Sequence, residues 1–99
     1  MSARINHLKS ILARLQGIDA NTQRQRILAA IQELGSVTTF EAIRFLDCYD
    51  PRPRIWELRH LLGYKIVTHM RAEQTESGVF HRIGVYMMAP KDANGEIAQ

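Results

Sequence analysis

The chain is short of cysteine, of long apolar runs and of clustered metal-binding side chains, and each shortage removes a class of protein. Cys48 stands alone and cannot close an internal disulfide, which fits a reducing compartment. His7, His60, His69 and His81 are scattered, and none lies at a zinc-site spacing from Cys48 or from another histidine. No stretch approaches the roughly 20 apolar residues that cross a bilayer. Arg4, His7, Lys9 and Arg14 interrupt the apolar residues near the N-terminus, so no signal-peptide core is present and a cytoplasmic location is expected. There is no glycine-rich phosphate loop and no nucleophile with a visible base. Neither an enzyme, a cofactor nor a small-molecule substrate is therefore expected. No internal repeat or low-complexity tract is visible.

What is present suits one modest core. The 99 residues, 45% hydrophobic and 23% charged, are ordinary for a globular domain. A formal charge of +3 leans only weakly toward an anionic partner. Placement of the charges says more.

Ile5, Leu8, Leu12 and Leu15 recur at spacings of three and four, with Ile11 beside them, and predict an amphipathic helix over 2–16 that stops at Gly17. Its polar side carries Arg4, Lys9 and Arg14 with no acid. Ile5, Leu8, Leu12 and Leu15 fit the seam of a short coiled coil, which would make a homodimer; equally, the helix can fold back on its own domain. Residues 18–20 read as a connector. A second helix is expected from Asn21 or Thr22, where Thr22 and Gln25 suggest a capping box. Ile27, Leu28, Ile31 and Leu34 form its apolar face, and Gly35 closes it.

Ser36-Val37-Thr38 is short enough to serve only as an edge strand. Thr38 and Glu41 form a further capping box, opening a short helix with Phe40, Ile43, and Leu46 or Phe45 inward. Asp50-Pro51 is a strong helix start, with Pro53 tolerated in the first turn, and the fourth helix is expected to run to Leu62 and stop at Gly63. Strands are expected over 64–70 and 79–88, joined by a polar loop over 71–78 ending in Ser77-Gly78. Residues 90–99 read as a flexible tail.

The residues Arg24-Gln25-Arg26-Ile27-Leu28, the turn Gly35 to Ala42, and Arg54-Ile55-Trp56-Glu57-Leu58-Arg59 followed by Gly63 to Thr68 resemble a small winged helix-turn-helix domain of the bacteriophage and prophage type. The resemblance covers about two-thirds of the chain. It implies an α+β, mainly helical fold with a three-helix core and a β-hairpin wing over 21–89; the extra helix over 1–17 lies outside the resemblance. It also implies double-stranded DNA as partner and a role in transcription regulation.

The residues support the same site. On a wheel of about 100° per residue, Ile55, Leu58 and Leu62 group toward the core while Arg52, Trp56 and His60 face away. A basic excess lies between 51 and 72, where Arg52, Arg54, Arg59, Lys65 and Arg71 meet one acid, Glu57. Arg52 is placed to read guanine in the major groove. Thr38 and Thr39 can hold a phosphate, although capping explains them fully. Arg71, His81 and Arg82 can add contacts from the hairpin; His60 and His81 are equally plain surface histidines.

Trp56 is ambiguous. It can stack on a sugar or thymine methyl, anchor a protein partner, or fold back against the hairpin or the first helix. The rival function is accordingly a protein-interaction module built on Trp56 and the N-terminal helix. Cys48 reads as a small turn-packing residue.

Overall fold

The computed structural model describes residues 2–90. Four helices and a three-stranded antiparallel sheet follow in the order α1 (Ala3–Arg14), α2 (Ala20–Leu34), β1 (Val37–Thr38), α3 (Thr39–Phe45), α4 (Pro51–His60), β2 (Ile66–Gln74) and β3 (Phe80–Met88). The strands lie in the order β1-β3-β2, with Val37 opposite Tyr86 and Ile66 opposite Met88. Among the described residues no helix is long and apolar enough to cross a membrane. The tail over 91–99 lies outside the described residues.

The short signals at the element ends explain most of these boundaries. Thr38 Oγ1 accepts from Glu41 N while Glu41 Oε1 accepts from Thr38 N, which is the capping box expected at α3. Asp50 caps α4 by accepting from Arg52 N, and Pro51 supplies the first helical position. Gly35 ends α2 in the left-handed conformation at φ 89°.

The start of α2 differs from expectation. Asp19, not Thr22, is the N-cap, accepting from Thr22 N at 3.0 Å. An aspartate three residues before Thr22 offers that amide a good acceptor, and the helix gains a part-turn.

One core joins every element. Leu8 and Ile11 of α1, Ile27 and Ile31 of α2, Val37 of β1, Leu46 after α3, Ile55 and Leu58 of α4, Ile66 of β2 and Tyr86 of β3 are buried together. α1 is therefore part of this core. Its inward pair is Leu8–Ile11, while Ile5, Leu12 and Leu15 are half-buried. The expected seam of Ile5, Leu8, Leu12 and Leu15 is not an exposed stripe, because Leu8 is fully enclosed by its own chain. Arg4 and Arg14 on the basic side of α1 are also occupied. Arg14 and His7 bond Glu33, and Arg4 grips Glu41 through two nitrogens, at 2.6 and 2.9 Å, while donating to Ser36 O.

Glu41 thus caps α3 and ties it to α1. Burial pushes its carboxyl upward, but the Arg4 guanidinium and the Thr38 amide outweigh this and hold it below the ordinary glutamate value. A carboxyl depressed in the folded state contributes stability above its unfolded value and loses it as pH falls through the folded one. Glu41→Gln is accordingly expected to cost about 1 kcal/mol near neutrality. Its difference from the wild type should shrink toward zero as the pH drops below the ordinary glutamate range. Thermal melts over a pH series check this; a gap that stays constant in acid would contradict it.

Three further expectations are corrected. Ile43 is exposed, because the capping box sets the phase of α3 so that Ala42 and Leu46 point inward, with Phe40 and Phe45 only half-buried. Leu62 is 55% exposed. The end of α4 widens there: Leu62 N reaches Glu57 O and Tyr64 N reaches Leu58 O, so Leu62 leaves the 100° progression that would have turned it inward. β2 runs on to Gln74, past the expected end at 70, while β3 at 80–88 nearly matches its expected range, and the loop is confined to 75–79. The polar residues from Arg71 to Gln74 pair across to β3, Arg71 opposite Ile83 and Glu73 opposite His81. Polarity there marks solvent exposure of a paired strand.

Candidate nucleic-acid interface

α4 presents one face to solvent along its length. Arg52 and His60 are exposed, and Trp56 between them is 55% exposed. Trp56 does not fold back on the hairpin or on α1; its ring packs on His60 at 5.0 Å between centroids, tilted by 42°. Tyr49, just ahead of the helix, is exposed as well. Sequence reasoning missed it, although its place beside the Asp50 cap was a usable signal. At about 1.5 Å per residue the helix is about 15 Å long, a length that fits a major groove.

Beside this stripe lies a cleft of about 840 Å³ between α3, the first half of α4 and the hairpin, lined among others by Phe40, Ile43, Arg52, Arg59, Met70 and Arg82. Arg52 pairs with Asp50 at 3.1 Å on the open surface. Each favours the other's charged form, through the side-chain hydrogen bond first, so the Arg52 pKa is raised and that of Asp50 lowered. An exposed pair of this kind exchanges readily for an external anion.

The other expected residues sort by their partners. Arg54 faces α2, where it shares Glu57 with Arg24, at 2.7 and 3.1 Å, so it lies away from the exposed stripe. Arg59 sits at the rim of the cleft but donates from Nε to Ile66 O at 2.6 Å and from Nη2 to Thr68 Oγ1, clasping α4 to the base of the hairpin. Thr38 is buried by its cap, and the Thr39 hydroxyl lies between Gly84 and Tyr86, anchoring α3 to β3. Lys65, Arg71, His81 and Arg82 are exposed, Arg71 beside Glu73 at 3.0 Å. Among the described residues Arg59, Lys65 and Arg82 have no carboxylate partner. The cleft thus gathers Thr39, Arg52, Arg59, His81 and Arg82, while Trp56 and His60 lie alongside it and Arg54 and Arg71 elsewhere.

Two helices joined by a tight turn, the second exposed and flanked by a β-hairpin, define the winged helix-turn-helix class of fold. The chain belongs to the winged helix-turn-helix domain family, whose model matches residues 22–91, more than two-thirds of its length. No curated protein matches it. The match leaves out α1 and the connector, although α1 supplies Leu8 and Ile11 to the common core.

Proposed function

We propose that the protein binds double-stranded DNA with sequence preference, as a transcriptional regulator of the bacteriophage or prophage type. α4 would lie in the major groove and the hairpin beside it. The observation that carries the reading is the exposed stripe of Arg52, Trp56 and His60 along a helix that stands next to a cleft edged by Arg59 and Arg82. Arg52 would release Asp50 to read a base edge, a bidentate contact worth about 1–3 kcal/mol of discrimination. Lys65 and Arg82 would meet phosphates, which set orientation without reading sequence.

Selection of duplexes from a random pool at two salt concentrations tests this. A motif should emerge, and affinity for it should fall steeply with salt as phosphate contacts release counterions. Arg52→Ala should relax preference at one position of the motif, by about 5- to 150-fold. Failure to enrich any motif, with Arg52→Ala binding unchanged, would sink the proposal. A second reading, in which the domain docks on another protein, is favoured only by the exposure of Trp56. Since α1 is built into the core, that reading would rest on α4 alone. It calls for weak, sequence-blind DNA binding together with tight capture of a protein that Trp56→Ala abolishes.

A further inference from the structure

The hairpin leaves one long edge open. β2 is the outer strand of the sheet, and nine residues, Ile66–Gln74, run along that edge without proline. Hydrogen bonds fix which of its main-chain groups point outward. Ala89 N donates to Lys65 O, and Thr75 N donates to Val79 O, so the odd-numbered residues bond to β3 and the even-numbered ones face away. Ile66 O, one of the outward groups, is taken by Arg59. Beyond it, among the described residues, the main-chain groups of Thr68, Met70, Ala72 and Gln74 have no partner. A run of like charges, a bulge or a proline would blunt such an edge. This one instead carries Arg71 and Glu73, opposite in sign and two residues apart on one face, with Met70 and nearby Phe80 exposed on the other.

We propose that β2 pairs antiparallel with β2 of a second copy, about a two-fold axis at Ala72. In that register Ala72 meets Ala72 of the other copy and Met70 meets Gln74, so the outward donors and acceptors of residues 70–74 meet one another. Arg71 falls opposite Glu73 twice over, at the closer, non-hydrogen-bonded positions where opposite charges stabilise a strand pair. Neighbouring registers lack this match. Centring on Arg71 sets that arginine against itself, and centring on Glu73 does the same for the glutamate. Centring on Met70 would require the Ile66 carbonyl that Arg59 already holds. The Arg59 clasp and the charge pattern together select one register. The pairing uses only the sheet edge, and it does not depend on the DNA reading.

Sedimentation equilibrium of the full chain without DNA reads it out. The wild type should dimerise, and Glu73→Arg or Arg71→Glu alone should each weaken the dimer about tenfold through repulsion present twice by symmetry. An equimolar mixture of the two variants should recover dimerisation as a heterodimer, a result that misfolded variants cannot give. Ala72→Cys should form an intermolecular disulfide on oxidation, since paired strands hold such positions about 5.5 Å apart at Cα. His69→Cys, which would lie opposite Thr75, should not. A wild type that remains monomeric, a dimer indifferent to both charge changes, or a mixture that stays monomeric would each overturn the proposal. Buried Cys48 does not compete in the oxidation.

Discussion

Leu8→Ala is expected to lower the unfolding free energy by about 2–5 kcal/mol, the range for truncating a fully buried leucine. Leu8 is completely enclosed and belongs to the same cluster as Ile27, Ala42 and Leu58, so the cavity would open in the middle of the domain. Leu12→Ala, at a half-buried position on the same helix, should cost less. The two substitutions separate the two readings of α1. A helix that stabilises the chain by pairing with another copy would give losses that vary with protein concentration. A helix built into its own core gives a loss that does not. Urea unfolding at several concentrations decides between them, with the midpoint shifting and the slope unchanged if the fold stays two-state. A Leu8→Ala midpoint within error of the wild type would remove α1 from the core.

Arg26→Met should be as damaging, at about 3–5 kcal/mol, because a buried arginine here replaces several separate contacts. Its side chain is 3% exposed. It donates from Nε to Leu15 O at 2.8 Å, from Nη2 to Gly17 O at 2.7 Å and from Nη1 to Leu46 O at 3.2 Å. These carbonyls belong to the end of α1, the connector and the end of α3. One guanidinium therefore closes the exit from α1 and the end of α3 together. Methionine preserves the apolar stem and leaves the carbonyls without a charged donor. Arg26→Lys should recover only part of the loss, since a single ammonium cannot reproduce a planar fork reaching three directions. Equal stability of the lysine and arginine forms would show that charge matters here and the fork does not. With domains of this size stable by only about 5–15 kcal/mol, either Leu8→Ala or Arg26→Met leaves little margin.

Arg26 also illustrates what the sequence could not display. It lies in the stretch Arg24-Gln25-Arg26 at the start of α2, where three polar residues in a row look alike. In the fold Arg24 faces Glu57 on α4, Gln25 is exposed, and Arg26 enters the interior. The same holds within α4. Arg52, Arg54 and Arg59 form one basic group on paper, yet they meet Asp50, Glu57 and the Ile66 carbonyl respectively. Only Arg52 keeps its side chain on the open surface, so the candidate site narrows to the Arg52–Trp56–His60 stripe and the rim beside it.

The sequence by itself determined the features that depend on a few neighbouring residues: the Thr38–Glu41 capping box, the Asp50-Pro51 start of α4, the Gly35 stop and the outward stripe on α4. Each rests on bonds or spacings within about one helical turn, so the local pattern is enough to specify it. The order of helices and strands followed from these, and with it the class of fold. The tertiary structure alone decided which partner each charged side chain takes, whether the apolar face of α1 turns inward, and how far the polar strands of the hairpin extend. Those outcomes join residues far apart in the chain, such as Arg4 with Glu41 and Arg71 with Ile83. Burial and pairing energies across such separations arise only once the elements are packed together, and they override the weaker local preferences when they do.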